Sequence, residues 1–270
     1  MELDATAALV MAWASPLYDG GRIRDFFDEL DLSKGEDLLR RCDEVCPWYG
    51  EVILNRKHQI SRLVGRELAR SPEPCRIVIP AAGMSPLALE VLEEYPDGVT
   101  DVVEIDISGM EEKHALYEQV APDLAGRIAC VRADITAPSL ARYGGREPVI
   151  LVVEGVSYYL GREELGGMIS SFCSGNGKNV VVVEYLAPCQ MVAPRRRSLP
   201  RSVFGSIREA CGLAPFSVYT PGAMASVIRD AGGRVDAHYS MAAMERARCS
   251  ENHFFRSDED GWIWCTKGRI

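Results

Sequence analysis

Residues 75–108, CRIVIPAAGMSPLALEVLEEYPDGVTDVVEIDIS, decide the fold class of this chain. The segment opens with an apolar run at 77–79, short enough for a buried strand, and turns through the small residues 81–83. Apolar residues between 87 and 92 then give a helix one apolar face, and a second strand over 102–106 ends in acid. This order of strand, turn, helix and strand predicts the opening of a nucleotide-binding α/β sheet, with the ligand at the carboxyl ends of the strands.

The same segment carries start signals for two helices. Ser85 is expected to cap the helix after the turn, and Pro86 suits its first turn, where no backbone N–H is needed. Ser108 and Glu111 have the S-x-x-E spacing of a capping box and predict a second helix beyond the second strand.

The turn also indicates which kind of nucleotide would bind. A dinucleotide fingerprint needs G-x-G-x-x-G to reach a pyrophosphate, whereas this turn has only Gly83, and Pro86 removes a donor where phosphate would lie. S-adenosylmethionine has no phosphate and needs one close backbone approach, for which Ala81 and Gly83 are the candidates. It also needs a carboxylate for its ribose hydroxyls, and Asp106 lies at about the expected 20 residues beyond the glycine.

Apolar runs elsewhere predict the rest of the sheet. Strands at 128–133, 148–153 and 180–183 alternate with helical patterns, which predicts parallel pairing. Two last strands, 235–239 and 262–266, are expected to form a hairpin with a long loop. The predicted fold is therefore α/β and Rossmann-like, with a mostly parallel seven-stranded sheet, helices on both faces and a helical N-terminal cap.

Four strands in succession end in a carboxylate, at Asp106, Asp134, Glu154 and Glu184. Because the carboxyl ends of parallel strands meet at one edge of a sheet, these side chains crowd like charges around one crevice. A cationic ligand relieves such repulsion. The sulfonium of S-adenosylmethionine is a cation of this kind.

The chain is expected to divide into a helical N-terminal region, 1–72, and a sheet domain, 73–270. Helical periodicity over 51–68 stops at the Ser-Pro-Glu-Pro segment 71–74. The N-terminal region is interpreted either as plain helical packing or as a lid over the cofactor.

Residues 185–220 interrupt the alternation of strands and helices and are interpreted as an insertion. A short helix is predicted within it over 202–210. Its arginine run, 195–197, is either a solvated loop or a site for an acidic acceptor.

Composition and charge narrow the classes of function. The net charge of −9 argues against general nucleic-acid binding, which needs a basic face. No run approaches the roughly 18 apolar residues of a membrane span. Nine cysteines, with an acidic segment 1–4 unlike a signal peptide, lead us to expect reduced thiols in a cytoplasmic protein. Cys42 and Cys46 lack the spacing and histidine partners of a metal site, and the oligomeric state stays open.

The most specific motif follows the fourth strand. Residues 153–160 read VEGVSYYL, similar to the E-G-x-x-x-Y-L signature of the leucine carboxyl methyltransferase-like group of class I S-adenosylmethionine-dependent methyltransferases. Residues 104–106, Glu-Ile-Asp, are similar to that group's E-x-D on the second strand. The chain therefore resembles this group over roughly residues 52–247. The resemblance implies a Rossmann-like fold, S-adenosylmethionine as methyl donor and S-adenosylhomocysteine as product.

The resemblance also implies roles for single residues. Arg56 matches an arginine that reaches the cofactor carboxylate, Asp134 and Ile135 match the segment that holds adenine, and Glu154 matches an acid near the methionine amino group. The chain departs from the family in two places. Its turn is poorer in glycine, and Arg56-Lys57 replaces the usual Arg-Thr pair.

The acceptor is predicted to lie beside two tyrosines of the motif. Tyr158 and Tyr159 follow Glu154 beyond the sheet edge, and the insertion 185–220 leaves from the same edge, so the acceptor is expected between them. The alternative is that both tyrosines pack beneath the following helix. None of the four histidines lies in a motif for a general base, so no catalytic residue is assigned.

These features predict an enzyme that methylates a hydroxyl or carboxyl oxygen of a small-molecule acceptor. A noncatalytic adenosylmethionine-binding regulatory protein is the alternative from another class, because a fold does not fix a function. An NAD(P)-dependent reductase is disfavoured by the missing glycines and by Pro86.

Overall fold

A seven-stranded sheet forms the centre of the computed structural model, which describes all residues, 1–270. In chain order the strands are β1 (Cys75–Pro80), β2 (Val99–Asp106), β3 (Ile128–Arg132), β4 (Val149–Val153), β5 (Val180–Leu186), β6 (Arg234–Ser240) and β7 (Ile263–Arg269). Across the sheet they lie in the order β3-β2-β1-β4-β5-β7-β6. The first five strands are parallel, and β7 is antiparallel to both β5 and β6. The predicted α/β fold with a mostly parallel sheet is confirmed.

Eleven α-helices accompany the sheet: α1 (Ala5–Ala14), α2 (Gly21–Asp28), α3 (Glu36–Val45), α4 (Gly50–Leu68), α5 (Leu87–Glu94), α6 (Met110–Val120), α7 (Pro122–Ala125), α8 (Arg162–Ser170), α9 (Ser198–Cys211), α10 (Pro221–Asp230) and α11 (Met241–Cys249). None of them is both long enough and apolar enough to cross a membrane.

Helices cover both faces of the sheet because successive strand residues point to opposite sides. Ile77 and Ile79 of β1 belong to one hydrophobic core together with side chains of α4 and α5. Val78, between them, belongs to a second core together with side chains of α8 and α10. β4 is buried at every position, as its continuous apolar sequence predicted for a strand covered on both faces.

Helix α4 is a layer of the first core. Of its 19 residues, 13 are buried, and it packs against β5, β7, α1 and α11. A helix buried to this extent cannot swing away without opening the core. The domain boundary at residue 72 and the interpretation of the N-terminal region as a lid stay predictions.

Both predicted helix caps were wrong. Helix α5 begins at Leu87, and Ser85 caps nothing, since its hydroxyl accepts a hydrogen bond from Nζ of Lys57 at 3.2 Å. Helix α6 begins after Gly109, whose φ of 71° makes the sharp turn from β2, so the residues of the expected capping box do not form one. Tertiary contacts and backbone geometry replace local side-chain capping at both starts.

The insertion 185–220 contains a helix, α9, that is longer than predicted. The side chains of its arginine run are bound within the chain rather than free in solvent. Arg195 and Arg196 both pair with the buried Asp260, and Arg197 donates to backbone carbonyls within the insertion. The last two strands pair as predicted, but the connection between them contains α11, which the sequence analysis did not predict.

Candidate active site

A cleft opens at the carboxyl ends of β1 and β4, where the strand order of the sheet reverses. The chain leaves β1 toward one face and β4 toward the other, and ligands of α/β sheets bind in the crevice between such loops. The cleft has a volume of about 200 Å³ and is bordered by α1 and α4. It brings together six of the predicted site residues: Arg56, Ala81, Gly83, Glu154, Tyr158 and Tyr159.

The turn after β1 has an uncommon backbone conformation. Ala81 and Gly83 have φ values of 52° and 48°, a region that costs a residue with a Cβ about 1–2 kcal/mol. Asp106 supports this turn, since its Oδ2 accepts a hydrogen bond from the Gly83 N–H at 2.9 Å. A Cβ on Gly83 would meet nothing within 4 Å, so the glycine leaves open space beside the cleft.

Four charged side chains form a buried network at the cleft. Nη2 of Arg56 and Nζ of Lys57 lie 3.2 Å and 3.1 Å from Oε1 of Glu154. Nη1 of Arg56 lies 3.8 Å from Oε1 of Glu184, whose Oε2 accepts a hydrogen bond from the Gly155 N–H at 2.8 Å. Glu154 directly follows β4, whereas Glu184 lies within β5, two residues before its end, rather than at the strand end that the sequence predicted, because the pairing with β7 continues to Leu186. Two cations of α4 offset both acids.

Burial and pairing move the two carboxyl pKa values in opposite directions. Burial raises the pKa of Glu184, and Arg56 and the backbone N–H of Gly155 offset this only in part. Burial also opposes ionisation of Glu154, but Lys57 and Arg56 outweigh it and hold the pKa of this carboxyl below its ordinary value. Glu154 is thus the more acidic of the pair, as a partner for an ammonium group should be.

The network contains buried polar atoms without a well-directed hydrogen bond, namely Nε of Arg56, Oε1 of Glu154 and Oε1 of Glu184. Such atoms cost free energy unless a ligand satisfies them. Arg56 and Glu154 line the cleft, where a guanidinium suits a carboxylate and a carboxylate suits an ammonium group. These residues fit the amino acid end of S-adenosylmethionine, the cofactor that the fold implies.

Three predicted residues lie along the same sheet edge but outside the cleft lining. Asp106 ends β2 and accepts hydrogen bonds from the backbone N–H groups of Gly83 and Ile107. Asp134 follows β3, and hydrogen bonds from the backbone N–H and hydroxyl of Thr136 lower its pKa. Ile135 is buried in the second core. Their roles toward ribose and adenine stay predictions.

A second cavity, of about 40 Å³, adjoins the cleft and is lined mainly by apolar and aromatic side chains; we call it the aromatic chamber. It shares Arg56, Tyr158 and Tyr159 with the cleft. Tyr158 is buried, whereas Tyr159 is 47% exposed, and their rings lie 5.6 Å and 5.4 Å from that of Phe216. Tyr158 belongs to the first core and α8 to the second, so this tyrosine does not pack beneath the following helix.

Several residues of the two cavities were not predicted. Lys57 pairs with Glu154, Thr6 and Val10 of α1 border both cavities, and Phe204 and Phe216 close the chamber. The only signal in the sequence for any of these residues was Lys57 itself, which replaces the family's threonine. Helix α1 is apolar on all sides and gives no periodic pattern, although its position makes it the element that covers the cleft.

The strand order, the antiparallel β7 and a cleft at the reversal between β1 and β4 define the fold of class I S-adenosylmethionine-dependent methyltransferases. Solved structures with this fold match the chain over nearly its whole length. A protein from Thermobifida fusca YX, provisionally assigned as a methyltransferase, superposes with a TM-score of 0.65 and 14% identity over 98% of this chain and 94% of its own. A DUF574 family protein from Streptomyces avermitilis MA-4680 superposes with a TM-score of 0.65 and 13% identity over 98% of this chain and 97% of its own.

The mitomycin 7-O-methyltransferase MmcR is a more distant structural neighbour, with a TM-score of 0.51 and 13% identity over 98% of this chain and 74% of its own. No protein-family model matches the chain, and no curated protein matches it significantly. At these identities the similarity establishes the fold, so the predicted class I methyltransferase fold is confirmed.

Proposed function

We propose that the chain is an S-adenosylmethionine-dependent methyltransferase that methylates an oxygen atom of a small molecule. The observation that carries this proposal is the junction of two cavities, a charged cleft and an aromatic chamber, at Arg56, Tyr158 and Tyr159. A donor in the cleft and an acceptor in the chamber would meet at these residues. The mitomycin 7-O-methyltransferase, which shares the fold, supports this choice of reaction. All nine cysteines are unpaired, in keeping with the cytoplasmic location that we also propose.

Each part of the cofactor has a candidate partner. Arg56 and Lys57 would bind its carboxylate, Glu154 its ammonium group and Asp106 its ribose, while Asp134 and Ile135 would hold adenine as the family resemblance implies. The bound cofactor supplies an electrophilic methyl group on its sulfonium. The residues of this chain orient donor and acceptor and exclude water, and such positioning can supply about 7–11 kcal/mol of a barrier.

The aromatic chamber favours a carboxylate over a hydroxyl as the acceptor group. Its ionisable side chains are Arg56 and three tyrosines, at 49, 158 and 159. Burial raises the pKa of each of these tyrosines, so they stay neutral near pH 7. They therefore cannot remove a proton from a hydroxyl, which needs a base, whereas a carboxylate is already ionised.

Titration calorimetry with S-adenosylhomocysteine, and separately with NAD, tests the cofactor. We expect the first to bind and the second not to bind. Asp106→Ala should weaken binding of S-adenosylhomocysteine by about 1.5–3 kcal/mol, the usual contribution of hydrogen bonds to a charged group. Asp97→Ala, which removes an exposed carboxylate outside the cleft, is the matched control and should leave the affinity unchanged.

Methyl transfer itself is tested with a labelled donor and a cell extract. Mass spectrometry should find a small molecule that gains one methyl group only when the protein is present. Binding of S-adenosylhomocysteine without methyl transfer to any component would favour a regulatory binding protein. Absence of binding would reject both the methyltransferase and the regulatory binding protein.

A further inference from the structure

A third cavity, of about 240 Å³, lies along α9; we call it the α9 groove. Its lining is chiefly apolar and includes Leu186, Pro200, Phe204, Phe216 and Trp262. The groove shares Phe204 and Phe216 with the aromatic chamber, but nothing in the proposed methyl transfer uses it. An apolar concavity with a few polar groups is the usual form of a small-molecule site.

Two arginines give the groove a positive charge. Arg201 and Arg208 line it, are exposed and form no ion pair or side-chain hydrogen bond with the rest of the chain. The preceding arginines at 195 and 196, by contrast, are both bound to Asp260. In a protein with a net charge of −9, two uncommitted guanidiniums beside one apolar surface form a local site for an anion.

A glycine keeps the groove open between these arginines. Arg201, Gly205 and Arg208 are spaced at i, i+4 and i+7, so they share one face of α9. Glycine within a helix is less stable than alanine, yet a Cβ at position 205 would meet no atom within 4 Å. Steric crowding therefore does not require the glycine, and the space beside it stays open to the groove that it lines.

We propose that the α9 groove binds an amphipathic organic anion. The apolar body lies over Gly205 against Phe204, Phe216 and Trp262, and its carboxylate, sulfonate or phosphate pairs with Arg201 and Arg208. Guanidiniums suit such oxyanions because they donate parallel hydrogen bonds. A nucleic acid would need a wider basic face than two arginines in an acidic protein supply.

The probe for this site is 8-anilino-1-naphthalenesulfonate, an aromatic anion that fluoresces when bound to apolar surface. We expect saturable binding to the native protein. Gly205→Leu places an apolar side chain in the groove, where a Cβ at this position meets no atom within 4 Å, and should reduce the affinity by at least about tenfold. Arg201→Gln/Arg208→Gln should also weaken binding by about tenfold and reduce its salt dependence. Arg146→Gln/Arg229→Gln removes the same charge from exposed arginines outside the groove and should change neither.

Two further measurements make the test decisive. Dodecanoate should displace the probe and uncharged dodecanol should displace it far less; equal displacement would overturn the requirement for an anion. Unchanged probe affinity in Gly205→Leu would overturn the site itself. Calorimetry with S-adenosylhomocysteine on each variant checks that the variant is folded. If the native protein does not bind S-adenosylhomocysteine, the proposed methyl transfer is rejected, while the result for the α9 groove still stands.

Discussion

Nζ of Lys113 in α6 donates a hydrogen bond to the carbonyl oxygen of Ser85 at 2.9 Å. Lys57 of α4 donates to the hydroxyl of the same serine at 3.2 Å. Each lysine is also paired with a carboxylate, Lys113 with the fully buried Glu104 at 2.8 Å and Lys57 with Glu154 at 3.1 Å. The turn that borders the cleft is thereby fixed to two ion pairs from two different helices.

Removing Lys113 should affect both stability and donor binding. Lys113→Met leaves Glu104 buried without its partner and should cost about 3–5 kcal/mol of unfolding free energy. Lys113→Met/Glu104→Gln removes the unpaired charge and should recover most of that loss, while the Ser85 carbonyl still lacks its donor. We expect this double variant to bind S-adenosylhomocysteine about 0.5–1.5 kcal/mol more weakly than Glu104→Gln alone. Equal affinities by calorimetry would show that Lys113 stabilises the core without positioning the turn.

The backbone of Ala81 predicts an unusual response to glycine. Its φ of 52° is unfavourable for alanine, so Ala81→Gly removes a strain of about 1–2 kcal/mol against a backbone entropy cost of about 0.5–1 kcal/mol. The unfolding free energy should therefore rise slightly or stay level in urea denaturation. Ala82→Gly, one residue on, gains no such relief and should be destabilising. A larger loss for Ala81→Gly than for Ala82→Gly would contradict the strained turn.

The sheet could be predicted because its signals are local. Each parallel strand contains a short apolar run, and an acid stands at the end of β2 and directly after β4. Helix starts were predicted poorly because Ser85 and Ser108 suggest caps that tertiary contacts override. Helix α11 was missed because its start, where the Ser240 hydroxyl accepts from the Ala243 N–H, was not recognised as a cap.

Of the site, only the residues that belong to the strands and the loops after them could be predicted from the pattern of the sequence. Glu154 follows directly from the strand pattern, but its partner Lys57 lies on a helix almost 100 residues earlier in the chain, and no pattern in the sequence pairs the two. The rings of Phe204 and Phe216 come from the insertion, and no pattern in the sequence brings them to Tyr158 and Tyr159. The cavities depend on these long-range contacts, which is why the sequence indicated the donor better than the acceptor.

The opposite pKa shifts of Glu154 and Glu184 predict opposite effects of pH. The folded pKa of Glu184 is raised, so its contribution to stability is complete below its ordinary pKa of 4.5 and is lost as the pH rises through the folded value. The stability of Glu184→Gln relative to the native protein should therefore increase from about pH 4 toward neutral pH. The glutamine can still accept from the Gly155 N–H, so the fold should survive.

For Glu154 the dependence of stability on pH has the opposite sign. Its folded pKa is lowered, so its contribution is present above the ordinary value of 4.5 and is lost as the pH falls through the folded value. Glu154→Gln should cost up to about 3–5 kcal/mol at neutral pH, because Lys57 and Arg56 lose a buried partner. The cost should shrink in acid. Urea denaturation of both variants at several pH values checks this, and parallel pH dependences would contradict the two directions.

The two tyrosines at the chamber test where the acceptor lies. The Tyr158 hydroxyl forms no hydrogen bond within the chain, and Tyr159 is half exposed, so neither Tyr158→Phe nor Tyr159→Ala should unfold the protein. Tyr239→Phe, on β6 and outside all three cavities, is the control and should behave like the native protein.

With the acceptor identified from the extract, Tyr159→Ala should raise its Michaelis constant by about tenfold, because the chamber loses an aromatic wall that packs against Phe216. Tyr158→Phe should lower turnover if its free hydroxyl donates to the acceptor oxygen and should otherwise leave the kinetics unchanged. Affinity for S-adenosylhomocysteine should stay nearly constant in both variants, since the proposed charged contacts to the cofactor come from Arg56, Lys57 and Glu154. A fall in donor affinity with unchanged acceptor kinetics would assign the tyrosines to the cofactor pocket and move the acceptor away from the chamber.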